Sequence, residues 1–171
     1  MSDEQGPNQP MPLSLTRQVI GLTVACAVCF GAAAVGGAVT YPRIEDWYAA
    51  LTKPPWTPPG WLFGPVWSVL YGSMALAAWL VWRRQGFAAA GLPLLLFAVQ
   101  LVLNLMWSVL FFGLKSPVLA LLDIVLLLVA IAATLVSFWR RSAAAGGLLV
   151  PYLAWVGFAT ALNFAIWRLN S

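Results

Sequence analysis

Five long apolar stretches, separated by short polar or proline-bearing breaks, run along this chain. They cover roughly 18–39, 61–82, 88–112, 117–139 and 148–167, each near the ~20 residues that a helix needs to cross the hydrocarbon core. Arg83-Arg84 closes the second stretch, Lys115-Ser116-Pro117 separates the third from the fourth, and Arg140-Arg141 closes the fourth. Pro93, Pro117 and Pro151 fall near predicted helix starts, where a missing N–H costs little. Trp82, Trp139 and Trp167 fall at predicted ends, where indoles favour the membrane interface. The first stretch is too long for a cleavable leader and follows the polar, acidic SDEQGPNQP, so it reads as a retained helix. The pattern therefore predicts an all-α polytopic membrane protein. It has a disordered tail over 1–14 and one five-helix transmembrane domain over 15–171.

Composition makes lipid the solvent for most of the chain. Of its 171 residues 62% are hydrophobic and 8% charged, with a mean hydropathy of +0.87. A soluble domain carries about 25% charge. The net charge of +4 is spread over the breaks and forms no basic stripe, which excludes nucleic acid binding. There is no histidine, which removes the usual zinc ligand, general base and haem ligand together. Cys26 and Cys29 share a helix face inside an apolar run, where thiolate chemistry is disfavoured; they read as small packing residues. Five spans put the termini on opposite sides. Arg17 and the two arginine doublets share the N-terminal side, which favours a cytoplasmic N-terminus in a bacterial cell membrane.

Within the spans the polar groups are few, and each is expensive in hydrocarbon unless it faces a partner. Tyr71, Asn104, Asp123 and Asn163 lie between about 8 and 15 Å from one membrane face, at about 1.5 Å per residue. That face carries the 40–60 connection, the longest in the chain. Gln100, Asn104 and Trp107 share one helix face, as do Trp67 and Tyr71; on the fifth stretch Trp155, Phe158 or Ala159, and Asn163 stack similarly. Such a one-sided polar set under a long loop describes a cavity with a lid. Asn104 and Asn163 suit both interhelical hydrogen bonding and cavity lining. Gln100 and Asp123 read as structural polar groups, Asp123 as an acid bonded to neighbouring helices.

The lid itself is unusual. KPPWTPPGWLFGPVW (Lys53–Trp67) holds five prolines and three tryptophans in fifteen residues. Proline stiffens the backbone and removes donors that would need partners at the membrane surface. Pro59 can open the second span, and Pro65 would kink it or delay its start. Trp56, Trp61 and Trp67 would hang from this scaffold into or over the cavity, where flat indoles suit a flat, largely apolar ligand.

RIEDWYAALTKPPWTPPGWLFGPVWSVLYGSM (Arg43–Met74) closely resembles the signature of the translocator protein family, also called the tryptophan-rich sensory protein or peripheral benzodiazepine receptor family. QLVLNLMWSVLFFG (Gln100–Gly113), ALLDIVLLL (Ala120–Leu128) and PYLAWVGFATALNFAIWRLN (Pro151–Asn170) match in order. The resemblance implies a five-helix bundle, usually a homodimer. It also implies a pocket under the first loop for porphyrins, haem, isoquinoline or benzodiazepine-type drugs and, in animal members, cholesterol. By the same resemblance the pocket includes Trp47, Trp56, Trp61, Trp67, Tyr71, Asn104, Trp107 and Trp155, with Ala159 and Asn163 as floor or wall. Trp56 and Trp155 match tryptophans associated with light-dependent porphyrin breakdown. The proposed cholesterol motif needs a tyrosine where LNFAIWR has Phe164, so a sterol role is doubtful.

The expected function is a membrane receptor or sensor that binds tetrapyrroles, without an obligatory cofactor or metal, for sequestration, signalling or transport. The alternative is a slow photo-oxidative enzyme using Trp56 and Trp155. No internal repeat of the kind common in alternating-access transporters is visible.

Overall fold

The computed structural model describes residues 14–171, so all but Ser14 of the expected tail lies outside the described residues. Five helices are long and apolar enough to span a bilayer: α1 Leu15–Tyr48, α2 Gly60–Arg84, α3 Ala90–Gly113, α4 Pro117–Trp139 and α5 Ala143–Leu169. Among the described residues there is no strand.

Each helix begins where the sequence can satisfy its first N–H groups. Ser14 Oγ accepts from Arg17 N–H at 3.4 Å, which places the expected tail's last residue in a helix cap. Ser116 caps α4, with Pro117 in the first turn. Ser142 caps α5, so α5 begins at Ala143, five residues before the expected Leu148, and Pro151 lies two turns inside the helix instead of at its start. The alanine run 143–145 propagates a helix well once capped. Helical backbone runs from Phe63 to Ser108 except at Gly86, whose φ of +63° and ψ of −173° separate α2 from α3. Such a break suits glycine, which lacks the Cβ that penalises positive φ.

The 40–60 connection is more helical than the sequence suggests. α1 ends in a 3₁₀ turn over Tyr41–Arg43 and a wider π turn over Ile44–Tyr48. Its continuation has a packing cause: Trp47 and Tyr48 lie against Phe111 and Phe112 at ring separations of 5.3–6.3 Å. The remaining lid is therefore residues 49–59. Lys53 Nζ donates to the carbonyls of Tyr48, Leu51 and Ala49 at 2.7, 2.9 and 3.2 Å. The lysine thus closes the open end of α1, whose last carbonyls have no helical partner. Pro54-Pro55-Trp56-Thr57 forms a turn in which Thr57 donates twice to Pro54 O. Pro59 stays extended, Gly60–Leu62 is a 3₁₀ turn, and the α-helix proper starts at Phe63. Pro65 sits in the first turn of this α-helix, where no N–H is needed, and does not delay its start.

Two ends of the bundle differ in how they close. Arg84 donates to Arg141 O at 3.3 Å, so the two arginine doublets lie at one end. There α1 and α2 meet closely: Trp79 Nε1 donates to Gln18 O at 2.9 Å, and a Cβ on Gly21 would lie 2.1 Å from the Trp82 ring. Only a residue without a side chain fits that approach. At the other end Asn170 clasps the lid. Its Oδ1 accepts from Thr52 N–H at 3.0 Å, and its Nδ2 donates to Thr52 O at 2.9 Å.

Each such bond contributes about 0.5–1.5 kcal/mol. Asn170→Ala should raise amide hydrogen exchange over residues 51–57 by roughly tenfold while leaving thermal unfolding of the bundle nearly unchanged. Unaltered exchange at Thr52 would show that the clasp does not hold the lid.

Candidate functional site

Beneath the lid, α1, α2, α3 and α5 enclose a cavity of about 580 Å³. That lies within the range of small-molecule sites, about 300–1,000 Å³. A shallower groove of about 610 Å³ runs on the outer surface between α2 and α5, past Pro65, Val69, Pro151, Ala154 and Phe158. The groove is lined by apolar side chains, whereas amides, a phenol and indoles converge on the cavity. The cavity is therefore the candidate site.

Its polar floor is a single chain of hydrogen bonds joining three helices. Tyr71 on α2 donates its hydroxyl to Asn104 Oδ1 on α3 at 2.7 Å. Asn104 Nδ2 donates to the Tyr152 hydroxyl on α5 at 2.9 Å, and that hydroxyl donates to Gln100 Oε1 at 2.9 Å. All four side chains are buried. Each hydroxyl thus fills a role fixed by its neighbour, and the chain ends in a weak contact of Gln100 Nε2 with Met74 Sδ at 3.8 Å. A second chain starts at the cavity wall. Trp107 Nε1 donates to Asn163 Oδ1 at 3.0 Å, and Asn163 Nδ2 donates to Pro117 O at 2.8 Å. The carbonyl at the head of α4 is thereby tied to α5.

The walls are aromatic. Trp67 leans on Tyr71 at 5.6 Å, and Trp155 meets Phe63 at 5.9 Å. Trp107 stacks on Phe111 at 5.1 Å. The π turn Val109–Gly113 that ends α3 carries Phe111 and Phe112 inward beneath Trp47 and Tyr48, which roof this corner.

Of the ten side chains expected at a pocket, Trp61, Trp67, Tyr71, Asn104, Trp107, Trp155, Ala159 and Asn163 line the cavity together. Trp47 and Trp56 do not. Trp47 is taken up by the phenylalanine pair, and Trp56 is 47% exposed, its ring edge 5.8 Å from Phe158. The turn at Pro54–Thr57 holds Trp56 against Phe158, beside the outer groove, instead of over the cavity. Gln100 is two bonds removed, joined to Asn104 through Tyr152 in the floor chain. Asp123 is buried on the packed face of α4 with Ala120, Ile124 and Leu127, away from the cavity, and its Oδ2 has no protein partner in place of the expected bond. Cys26 and Cys29 are unpaired thiols that do not line the cavity.

Sequence reasoning missed five contributors. Tyr152, the hub of the floor, precedes Trp155 by three positions and so shares the face of Trp155, Ala159 and Asn163, a signal that was available. Phe30, Ala33 and Tyr41 of α1 also line the cavity. Asn170 had no readable signal, because its partner is the backbone of a lid 118 residues away.

The fold and the cavity define an integral multi-pass membrane protein with a ligand-sized aromatic chamber under one surface. Residues 24–168 match the TspO/MBR family. The chain is 42% identical over 161 residues to the Tryptophan-rich protein TspO of Chlorobaculum tepidum, covering 91% of this chain and 99% of that one. It is likewise 42% identical over 154 residues to the human Translocator protein, covering 88% and 89%. The Tryptophan-rich sensory protein of Cereibacter sphaeroides is 42% identical over 144 residues, covering 84% and 87%. This chain belongs to the TspO/MBR family.

Hydrogen bonds between membrane helices contribute about 0.6–2 kcal/mol each. Asn104→Ala severs two bonds of the floor chain and should destabilise the bundle by about 1–3 kcal/mol, against less than half of that for Tyr71→Phe. Reversible unfolding in mixed micelles checks the order. Equal losses would mean that the bonds of the chain hold or fail together instead of contributing one by one.

Proposed function

We propose that this protein binds tetrapyrroles such as protoporphyrin IX and haem, and related flat apolar molecules, in the chamber under the lid. There it senses, sequesters or passes them on, as a homodimer in a bacterial cell membrane with its N-terminus cytoplasmic. The observation that carries this reading is the pairing of a 580 Å³ aromatic cavity with amides that are already committed. Asn104 and Asn163 each use both ends of the amide on protein partners, so they set the shape of the chamber and leave recognition to its walls. The indole N–H groups of Trp61, Trp67 and Trp155 make no hydrogen bond to protein, unlike that of Trp107, and are free to meet acceptors on a ligand edge. Stacking and edge contacts on such rings contribute about 0.5–1.5 kcal/mol each beyond area burial.

The chemistry of the walls argues against strong iron ligation. The sequence has no histidine, neither cysteine lines the cavity, and of the three lining phenols Tyr71 is held by Asn104, which leaves Tyr41 and Tyr48 as the weak ligands available. Metal-free protoporphyrin should bind at least as tightly as haem, read by tryptophan quenching in lipid nanodiscs. A low-spin haem spectrum with two strong axial ligands would contradict this. Trp155→Ala should weaken protoporphyrin binding by about tenfold, since truncating a buried anchoring aromatic typically costs more than 1 kcal/mol. Unchanged affinity would remove the cavity as the site.

A second reading, slow photo-oxidative breakdown of bound porphyrin with dioxygen as oxidant, is favoured by one geometric fact. Trp155 lines the cavity and lies 5.6 Å from Phe158, which lies 5.8 Å from Trp56. The indole on the cavity and the exposed indole outside it are thus joined through one ring. Under illumination Trp155→Phe should slow pigment loss more than Trp56→Phe does. The reverse order, or equal loss in both and in the unaltered protein, would count against it.

A further inference from the structure

The cavity is sealed on one side and open on the other, and the asymmetry follows the helices. Its lining residues from α3 and α5, such as Asn104, Phe111, Asn163 and Ile166, are buried. Of its lining residues from α1 and α2 only Gly36 and Tyr71, deep in the wall, are buried: Tyr41 is 78% and Trp61 73% exposed, and Gly37, Gly64 and Ser68 are exposed as well.

Packing explains the difference. α1 and α2 are drawn together at the arginine end by Gly21 against Trp82 and by the Trp79–Gln18 bond. Towards the lid, α1 instead leans on α3. A Cβ on Gly36 would meet Ser108 Oγ at 3.3 Å, and a Cβ on Gly113 would meet Val39 at the same distance. One residue on, a Cβ on Gly37 would meet nothing within 4 Å, and neither would one on Gly64 of α2. Exposed residues of both helices thus line the cavity at this level, and the gap between them leads into it. Polar groups on the rim are few: the Ser68 hydroxyl is turned back onto Gly64 O at 2.9 Å.

The gap also lies at membrane depth. Gly64 and Ser68 are about 6 and 12 Å below the start of α2, at about 1.5 Å per residue. A surface of that depth and polarity faces acyl chains. The lid, by contrast, is held by the Asn170 clasp and the Lys53 cap. We infer that the gap between α1 and α2 is a lateral portal, through which a flat apolar ligand passes between the cavity and the bilayer leaflet without the lid opening to water. Two glycines keep it open, because any larger side chain at 37 or 64 would project into the passage.

This inference rests on the ligand reading above, and its test separates the two. Association and dissociation of protoporphyrin IX are followed by stopped-flow tryptophan quenching in lipid nanodiscs. The unaltered chain is compared with Gly37→Phe, Gly64→Phe and a control on the outer face of α4, Val129→Phe. The portal predicts that both rates fall by at least fivefold in either glycine variant and stay within twofold in the control. Because a variant can fail to fold, the passage is also blocked after folding. Gly64→Cys, in a Cys26→Ala, Cys29→Ala background, is labelled with a bulky thiol reagent that a reductant removes. Slowing on labelling and recovery on reduction support the portal. Rates equal to the control, or weakened affinity with unchanged association, overturn it. So does complete loss of binding in the plugged forms, which would make the glycines part of the binding wall. Absence of equilibrium quenching in the unaltered chain would instead sink the ligand reading itself.

Discussion

In hydrocarbon a polar side chain has no water to fall back on, and the whole upper half of this bundle is organised around that constraint. The Tyr71–Asn104–Tyr152–Gln100 chain ties α2, α3 and α5 at one depth, and Trp107–Asn163–Pro117 ties α3, α5 and the head of α4. Each amide offers a donor and an acceptor, so each spans two neighbours where a hydroxyl alone would close on its own helix, as Thr134 and Thr160 do. Fixing three helices at that level holds apart the aromatic side chains above it. Without it, nothing in the apolar packing would prevent the bundle from collapsing into the chamber, since lipid and leucine interact alike.

The second constraint acts on the roof. A loop at a membrane surface has backbone groups to satisfy, and here the chain does so in three ways: by prolongation of α1 through Tyr48, by the lysine that gathers three carbonyls, and by prolines that present no N–H. The result is a lid that is rigid where it carries Trp56 and attached where it meets α5. Under the proposed lateral portal, a roof held in place and a gap between α1 and α2 are complementary features, since the ligand then passes from the side.

How much of this was legible follows the same physics. The five spans were readable because length and hydropathy alone define them; α4, Pro117–Trp139, lies where the sequence places it, its ends set by Ser116-Pro117 and Arg140. The gathering of Tyr71, Asn104, Trp107 and Asn163 was readable from depth and helical spacing, because few other polar groups competed for partners. What was illegible depended on tertiary contacts. The extension of α1 needs the phenylalanine pair of α3, the placement of Trp56 needs the turn it sits in, and the role of α1 in the cavity needs the direction in which a nearly featureless apolar helix leans. Pro151 misled for a related reason. In lipid a proline inside a helix is tolerated more readily than in water, so it marks a boundary poorly.

The Asn170 clasp bears on how the protein can be handled. The last two residues of the sequence sit beside the lid, and Ser171 is itself bonded back to Trp167 O at 2.6 Å. A purification handle or reporter domain fused directly after Ser171 therefore hangs from the hinge pin of the roof, whereas one placed ahead of Leu15 lies at the opposite, arginine-bearing end. Two preparations that differ in nothing but which end carries the handle are therefore expected to differ in how firmly the roof is pinned.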